Sequence, residues 1–356
     1  QMDNQIYNII GVMSGTSLDG LDLVYVRFEK KSKWHFEILN SKTYAYPKKW
    51  KNRLSKALHL TPQELEVLDL DFTNYLSNKI LKFISEFGIK NIDSIGSHGH
   101  TVFHQPDQGY TKQIGNRVEL SVLTKSQVVC DFRSQDVTLG GQGAPLVPIG
   151  DLLLFEGHQA CLNLGGFANL SIKTNKEIIA YDICAVNTVL NFLSSKINLD
   201  FDPAGENAEK GNFISEFYHA LEVLAYYKKM PPKSLGVEWV NENIFNILSQ
   251  FDSHSVEDLL HTYVTHIACQ IAVNIKGMDT VLVTGGGAYN SFLIKQIQKQ
   301  TATKIVLPEV ELIDFKEALI FAFLAVLKLR GEVNCLSSVT GALRNHSSGK
   351  IFNSNQ

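Results

Sequence analysis

From residue 11 to residue 22 the chain reads Gly11-Val12-Met13-Ser14-Gly15-Thr16-Ser17-Leu18-Asp19-Gly20-Leu21-Asp22, gathering small and hydroxyl residues into a bend. Residues 6–13 before the bend are apolar and rich in β-formers. Beyond it, Leu21, Leu23, Tyr25 and Phe28 alternate loosely with polar partners. Bare backbone N–H groups and hydroxyls are what a polyphosphate needs. Asp19-Gly20 alone signals an ordinary hairpin turn. The surplus of Ser14, Gly15, Thr16 and Ser17 points instead to a phosphate-binding hairpin, with a nucleotide as the owner of the phosphate. Two later glycine bends repeat the theme. Gly165-Gly166 joins apolar strands at 160–164 and 168–172. Gly285-Gly286-Gly287 follows a buried strand at 280–284 and precedes a helix at 291–300, a geometry that aims a helix N-terminus and uncovered backbone at a ligand.

Two carboxylates stand where ligands collect. Asp182 closes a strand at 178–182 ahead of an amphipathic helix carrying Val186, Val189, Leu190, Leu193 and Ile197. Strand C-termini bind ligands in open α/β sheets, while a helix N-cap explains the aspartate equally well on spacing alone. Glu317 falls in the first turn of a helix expected over 316–329, where charge at a helix N-terminus competes with a ligand-binding role. Arg133 and Lys233 are candidate cations for an anionic ligand, against a default of solvated surface charge. His98 and His100 follow a strand and suit either hydroxyl binding or a capped strand end. No Ser/His/Asp constellation and no metal-spaced histidine cluster presents itself.

The elements that must hold these residues follow from periodicity. Leu65, Leu68, Phe72, Leu76, Ile80, Phe83, Ile84 and Phe87 recur at steps of three and four, so a helix is expected over 64–87. Thr61-Pro62 starts it and Gly88 stops it. Strands are expected at 92–97 and 127–132, with a short helix near 117–125. Gly140-Gly141-Gln142-Gly143 is the candidate interdomain crossing and hinge. A chain of 356 residues exceeds what one small core organises. The expected division is a first lobe of 1–145 plus 330–356 and a second of 146–329. Two glycine-turned hairpins, each opening a strand-and-helix half, suggest structural duplication.

Hydrophobic residues make up 44% and charged residues 19%, with a net charge of −3, an ordinary globular balance. No basic stripe invites nucleic acid, and no apolar run approaches the ~20 residues of a membrane span. Cys130, Cys161, Cys184, Cys269 and Cys335 are odd in number and lack any C-x-x-C pair, so neither zinc nor a disulfide framework is expected. A cytoplasmic, reducing setting fits this usage.

Three glycine turns spread over two similar halves resemble the sugar kinase, Hsp70 and actin superfamily. The individual motifs are more specific. Residues 11–20 resemble the signature of the anhydro-N-acetylmuramic acid kinase family. The likeness continues through His98-Gly99-His100-Thr101, Asp131-Phe132-Arg133-Ser134-Gln135-Asp136, Gly140–Pro148, Leu162–Asn169, Pro231-Pro232-Lys233-Ser234, Gly285–Asn290, Glu317-Ala318 and Ser338–Ala342. This ordered set covers nearly the whole chain. Two departures stand out: Asp182-Ile183-Cys184-Ala185-Val186-Asn187 replaces the usual Asp-Thr-Gly-Pro-Gly-Asn, and His100 replaces a glutamine.

The resemblance implies a two-domain α/β, actin-like (ribonuclease H-like) fold with an ATP cleft between the domains. It implies ATP and Mg2+ as cofactors, 1,6-anhydro-N-acetylmuramic acid as the small-molecule substrate, and a homodimer. The implied reaction phosphorylates O6 while water opens the anhydro bridge at C1, giving N-acetylmuramic acid 6-phosphate for cell-wall sugar recycling. Asp182 and Glu317 are then the catalytic pair. Gly15, Thr16, Ser17, Leu18, Asp19, Gly20, Leu21, Asp22, Gly165, Gly166, Gly285, Gly286 and Gly287 bind the nucleotide. Metal ligands stay open, with Asp19 and Asp22 as the nearest candidates. The alternatives are a kinase for another amino sugar on the same scaffold, or a nucleotide-switched protein like actin or Hsp70.

Overall fold

The computed structural model describes residues 5–15, 18–174 and 177–355, so the expected ligands Thr16 and Ser17 lie outside the described residues. Twelve strands are described: β1 Gln5–Ser14, β2 Gly20–Lys30, β3 Trp34–Ala45, β4 Ser94–Gln105, β5 Tyr110–Ile114, β6 Val128–Cys130, β7 Ala160–Leu164, β8 Phe167–Lys173, β9 Ile178–Ala185, β10 Thr280–Thr284, β11 Lys304–Val306 and β12 Lys350–Phe352. The chain divides into two compact units. Residues up to Leu154, together with Phe315 onward, form the first; Phe155–Asp314 form the second.

Each unit is built on a sheet of the same plan. In the first, β3-β2-β1 is an antiparallel meander, and β4 and then β6 add parallel to β1. In the second, β9-β8-β7 is the meander, and β10 and β11 add parallel to β7. Three antiparallel strands followed by two parallel ones, twice over, is the ribonuclease H-like arrangement. The duplication that the paired hairpins suggested is thus present in the topology. The first sheet carries two additions: β12 pairs antiparallel with β6, and β5 folds back on β4.

Local signals explain the long helices. Thr61 and Glu64 form a reciprocal capping box at the start of helix Pro62–Phe87, with Pro62 in the first turn. Gly88 ends it in the left-handed conformation at φ 62°. Its face of Leu65, Leu68, Phe72, Leu76, Ile80 and Phe83 is buried against the first sheet's core.

Helix Val310–Leu329 differs from expectation. It starts two residues after Pro308 rather than at Lys316. Glu317 therefore lies beyond its first turn, and the helix-terminus explanation of that residue falls away. From Ala318 to Leu327 every residue is buried. Glycines bring it unusually close to its neighbours. A Cβ on Gly11 of β1 would lie 2.1 Å from Ala318 O, and one on Gly96 of β4 would lie 2.5 Å from Phe321 O. A Cβ on Gly150, in helix Pro148–Leu154, would meet Ile320 Cδ1 at 2.1 Å. Asp151 and Lys316 add a buried ion pair at 2.7 Å. These contacts are why residues 148–154 and 315–329 belong to the first unit and not, as expected, to the second.

The Gly140–Gly143 turn is likewise not the crossing between units. It lies inside the first unit, held by the main-chain bonds Gly141 N to Asp136 O (2.9 Å) and Gln142 N to Thr340 O (2.8 Å). Among the described residues no helix is long and apolar enough to cross a membrane. All five cysteines are free, and four are buried.

Candidate active site

Asp182 lies within β9 rather than at its end, because the strand continues through Ala185. Its backbone pairs with Asn169 on β8 beside a bulge that leaves Ile183 unmatched. The following helix, Asn187–Ser195, has Val186 at its N-cap with no side-chain cap. The capping role that spacing allowed for Asp182 is therefore not used. Instead the carboxylate is half-buried and held from two sides. Leu235 N donates to Oδ2 at 2.8 Å, and the Asn169 side-chain amide donates to Oδ1. The main chain is pinned as well, with Asp182 N donating to Lys233 O (3.2 Å) and Tyr226 OH donating to Asp182 O (2.7 Å). Burial raises this carboxyl above its ordinary range, and the Leu235 and Asn169 donors oppose the rise. An acid poised upward in this way suits general-base work near neutrality.

Lys233 does not face that carboxylate. Its ammonium sits 4.8 Å from the Tyr226 ring and 5.8 Å from the Tyr181 ring. Successive residues of a strand point to opposite faces, so Tyr181 and Asp182 look away from each other. The lysine side chain thus lies on the Tyr181 side, while Lys233 O and Leu235 N of the same segment reach the main chain and the carboxylate of Asp182. Burial lowers its pKa.

The glycine bends of the second unit differ in what they are for. Gly165 O accepts from Asn187 N (3.2 Å), and Gly166 O accepts from Val186 N (2.7 Å) and Thr188 N (3.3 Å). The Gly165-Gly166 bend therefore satisfies the orphan donors at the start of the next helix. In the third bend, a Cβ on Gly285 would lie 2.7 Å from Asn163 Oδ1, and one on Gly287 would lie 2.6 Å from Leu164 Cβ. Packing on β7 dictates those two glycines. Gly286 has no such reason, since its nearest neighbour would be Asn187 Nδ2 at 3.9 Å, and the residue is exposed. At the base of the same loop the Thr284 hydroxyl is buried without a hydrogen-bond partner. Bare, wetted backbone beside an unspent hydroxyl fits the approach of a polar ligand such as a nucleotide.

In the first unit the expected phosphate stretch resolves into two parts. Gly15, Leu18 and Asp19 belong to the bend, with Leu18 at φ 59° and Asp19 exposed. Gly20, Leu21 and Asp22 are already in β2, paired with Ala45, Tyr44 and Thr43. Leu21 is wholly buried in the core, and a Cβ on Gly20 would strike Tyr44 O at 2.7 Å. Thr43 Oγ1 donates to Asp22 Oδ1 at 2.5 Å. Ser14, at the end of β1, places its Oγ 2.7 Å from Tyr46 OH and 2.9 Å from His100 Nδ1. Burial lowers His100 to about 4, so the ring is neutral.

His98 and His100 do not follow a strand; both lie inside β4, where Gly99 adopts φ 74° and β5 supplies the outer partner. His98 fixes Arg133. Arg133 Nε donates to His98 Nε2 (2.9 Å), which leaves His98 Nδ1 to donate to Gly99 O (2.9 Å). Burial first, and then the Arg133 charge, hold this histidine far below its usual range. Arg133 Nη1 donates to Gly143 O at 2.7 Å. The guanidinium attracts Glu317, which is wetted by solvent yet closely ringed by protein groups. That crowding raises the Glu317 carboxyl; Arg133 and Lys316 pull it down, and Asp22 adds to the rise.

Sequence reasoning overlooked the anchor behind Arg133. The fully buried Asp136 Oδ1 accepts from His346 Nε2 (2.8 Å), Thr340 Oγ1 (2.8 Å) and Cys335 Sγ (3.0 Å), and Oδ2 accepts from Gly143 N (2.8 Å). Among the described residues Asp136, Cys335 and His346 are the one cluster with metal-binding types close together. Their spacing is that of hydrogen bonds, tighter than the roughly 3.3 Å between neighbouring ligands of a tetrahedral metal. The cluster is a clasp that ties the C-terminal segment to the glycine turn under Arg133. Asn163 and Asn169 were also missed, although each is a polar residue set between apolar neighbours, two positions before Gly165 and three after Gly166.

Comparison with known proteins bears on what such a site does. The sequence model of the family described as anhydro-N-acetylmuramic acid kinase matches residues 7–354. A protein of that name from Francisella tularensis subsp. novicida is 32% identical, covering 94% of this chain and 95% of its own length. Another from Sulfurimonas denitrificans is 32% identical with 96% and 98% covered, and one from Bacillus cereus is 30% identical with 94% and 96% covered.

Proposed function

Because this chain belongs to the anhydro-N-acetylmuramic acid kinase family, we propose that it opens 1,6-anhydro-N-acetylmuramic acid with water and phosphorylates O6, yielding N-acetylmuramic acid 6-phosphate. The observation that carries the mechanism is the Asp182 carboxylate: half-buried, raised in pKa, and gripped on both oxygens without capping a helix. Asp182 takes the proton of a water whose oxygen bonds to C1. The C1–O6 bond breaks, and the freed O6 becomes the acceptor of the phosphoryl group. General-base help of this kind contributes about 10²–10⁴-fold. ATP supplies the phosphoryl group, and Mg2+ neutralises its charge.

The residues present fit a nucleotide. Gly286 and the Thr284 hydroxyl offer bare backbone and an unspent polar atom. Gly15, Leu18 and Asp19 belong to the bend after β1, and Asp19 is the exposed carboxylate nearest to a magnesium-binding role. Glu317 and Arg133 are the pair assigned to the polar groups of the sugar. His98 and the Asp136 clasp hold Arg133 in place for that task.

Two measurements test this reading. Turnover in ¹⁸O-labelled water places the label on the C1 hydroxyl and none in the phosphate. Asp182→Asn keeps the fold and nucleotide binding but loses at least ~10²-fold in kcat. Near-normal turnover in that variant removes Asp182 as the base.

A further inference from the structure

The polar side chains Asn163, Asn169 and Asp182 stand on three adjacent strands at directly opposed positions. Asn163 pairs with Asn169 across the β7–β8 hairpin, and Asn169 pairs with Asp182 across β8–β9. Their neighbours along the strands, Leu162, Leu164, Ala168, Leu170 and Ile183, are wholly buried. Alternation therefore puts the three polar groups together on the opposite, open side of the sheet. They are joined in sequence. Asn163 Nδ2 donates to Asn169 Oδ1 at 3.4 Å, and Asn169 Nδ2 donates to Asp182 Oδ1. Asn163 also lies against the third glycine bend, where a Cβ on Gly285 would come within 2.7 Å of its Oδ1.

We propose that Asn169 is a positioning residue for Asp182, held in one amide orientation by Asn163, so that this cross-strand ladder aims the carboxylate at the attacking water. The inference rests on the assignment of Asp182 as the base. An amide presents oxygen or nitrogen to a neighbour depending on its flip. Only with Nδ2 toward β9 does Asn169 support a carboxylate; turned over, it would set oxygen against oxygen. The Asn163 donor, received on Asn169 Oδ1, selects the supporting orientation. Leu235 N holds the other carboxylate oxygen, so the two donors together fix the plane of the group. A base displaced in this plane misses the line of attack on C1, and misplacement of about 1 Å costs on the order of 10²-fold.

The ladder also has a proton signature that a purely structural asparagine would lack. A donor on Oδ1 favours the ionised form, so removing it raises the pKa of Asp182. The base must be ionised to act, and the acidic limb of the kcat–pH profile therefore moves to higher pH. Asn169 is exposed, and its replacement leaves the packed side of the sheet untouched.

The experiment compares Asn169→Ala, Asn163→Ala and Asp182→Asn with the parent enzyme on the anhydro sugar and ATP. Profiles of kcat against pH, nucleotide KM and melting temperature are measured for each. In Asn169→Ala, kcat falls about tenfold or more, and the acidic limb moves up by about one pH unit. The nucleotide KM and melting temperature stay at parental values. Asn163→Ala moves the limb the same way by a smaller amount, because the Asn169 amide is then free to turn. A profile and kcat in Asn169→Ala equal to the parent's, beside an inactive Asp182→Asn, overturn the ladder while leaving the base assignment standing. Retained turnover in Asp182→Asn overturns both.

Discussion

Replacing Gly11 with alanine tests whether close packing of one helix holds the first unit and its carboxylate in register. The glycine belongs to the stretch whose composition suggested phosphate binding, yet it points at the backbone of helix Val310–Leu329. The added Cβ would stand 2.1 Å from Ala318 O, 2.9 Å from Ala322 Cβ and 2.9 Å from Val24 Cγ2. Ordinary contact begins near 3.4 Å, so the helix or the strand must give way by roughly 1 Å. Neither does so freely, because Gly96 clamps the same helix one turn further along through Phe321 O. Overpacking of this kind costs about 1–3 kcal/mol, and contact with backbone places Gly11→Ala at about 3. At about 2–4 °C per kcal/mol for units of 150–250 residues, the unit melts about 6–12 °C lower. Glu317 immediately precedes Ala318, so the same displacement moves its carboxylate. A 1 Å error in a reacting constellation costs on the order of 10²-fold in turnover. Scanning calorimetry and steady-state kinetics below the lowered transition read the two effects separately. Gly157→Ala, whose Cβ would meet nothing within 4 Å, is the matched control. A Gly11→Ala protein that melts within about 1 °C of the parent with unchanged kcat refutes the claim that this approach is tight.

Gly286→Ala should be the reverse case: the nearest atom to its Cβ is 3.9 Å away, so the melting temperature of the unliganded protein stays put while nucleotide KM rises. Gly287→Ala, with Leu164 Cβ at 2.6 Å, lowers stability instead; unchanged KM in Gly286→Ala rules that residue out of the nucleotide site. Asp136→Asn removes a buried carboxylate that four donors share, at a cost of about 3 kcal/mol or more by thermal unfolding. Burial alone would raise the Asp136 carboxyl, but His346, Cys335, Thr340 and Gly143 together hold it below the ordinary range. Its stabilising contribution is therefore complete above the unfolded value of about 3.9 and is lost as pH falls through the folded one. The Asn variant should show a flatter decline of melting temperature on acidification, and an acid limb as steep as the parent's would exclude Asp136 as its source.

Local chemistry made much of this readable in advance. The helix at 62–87 announced itself through Thr61, Pro62, Gly88 and its apolar face, and the helix Ser291–Gln300 fell where the buried strand and glycine bend before it put it. Elements whose partners are remote were harder. Ser97-His98-Gly99-His100-Thr101 reads as a strand ending, because glycine and histidine look like punctuation. The strand goes on to Gln105 since Gly99 turns through φ 74° and β5 returns along it. Asp182 looked like a strand terminus for want of the pairing with β8, which carries β9 on through Cys184 and Ala185. The Asp136 clasp draws on residues 199 to 210 positions away, a separation that no local pattern encodes.

Glycine is where sequence and structure part most usefully, since one residue type answers two different demands. A glycine can be required because another part of the protein occupies the place of its Cβ, or because a ligand does. Composition cannot separate the two, and the bend at 11–22 shows why. Gly11 and Gly20 are both accounted for by backbone oxygens of the protein itself, at 2.1 Å and 2.7 Å. Their presence says nothing about phosphate. In the third bend, Gly285 and Gly287 are spent on β7 in the same way, and Gly286 alone has no protein atom closer than 3.9 Å to the place of its Cβ. Because the two units share one strand plan, the comparison is internal and needs no outside reference. Within that bend Gly286 is the glycine whose smallness close packing does not explain, and it lies two residues beyond Thr284, whose buried hydroxyl has no hydrogen-bond partner. That coincidence, rather than the number of glycines in a bend, is what supports the proposed nucleotide site there.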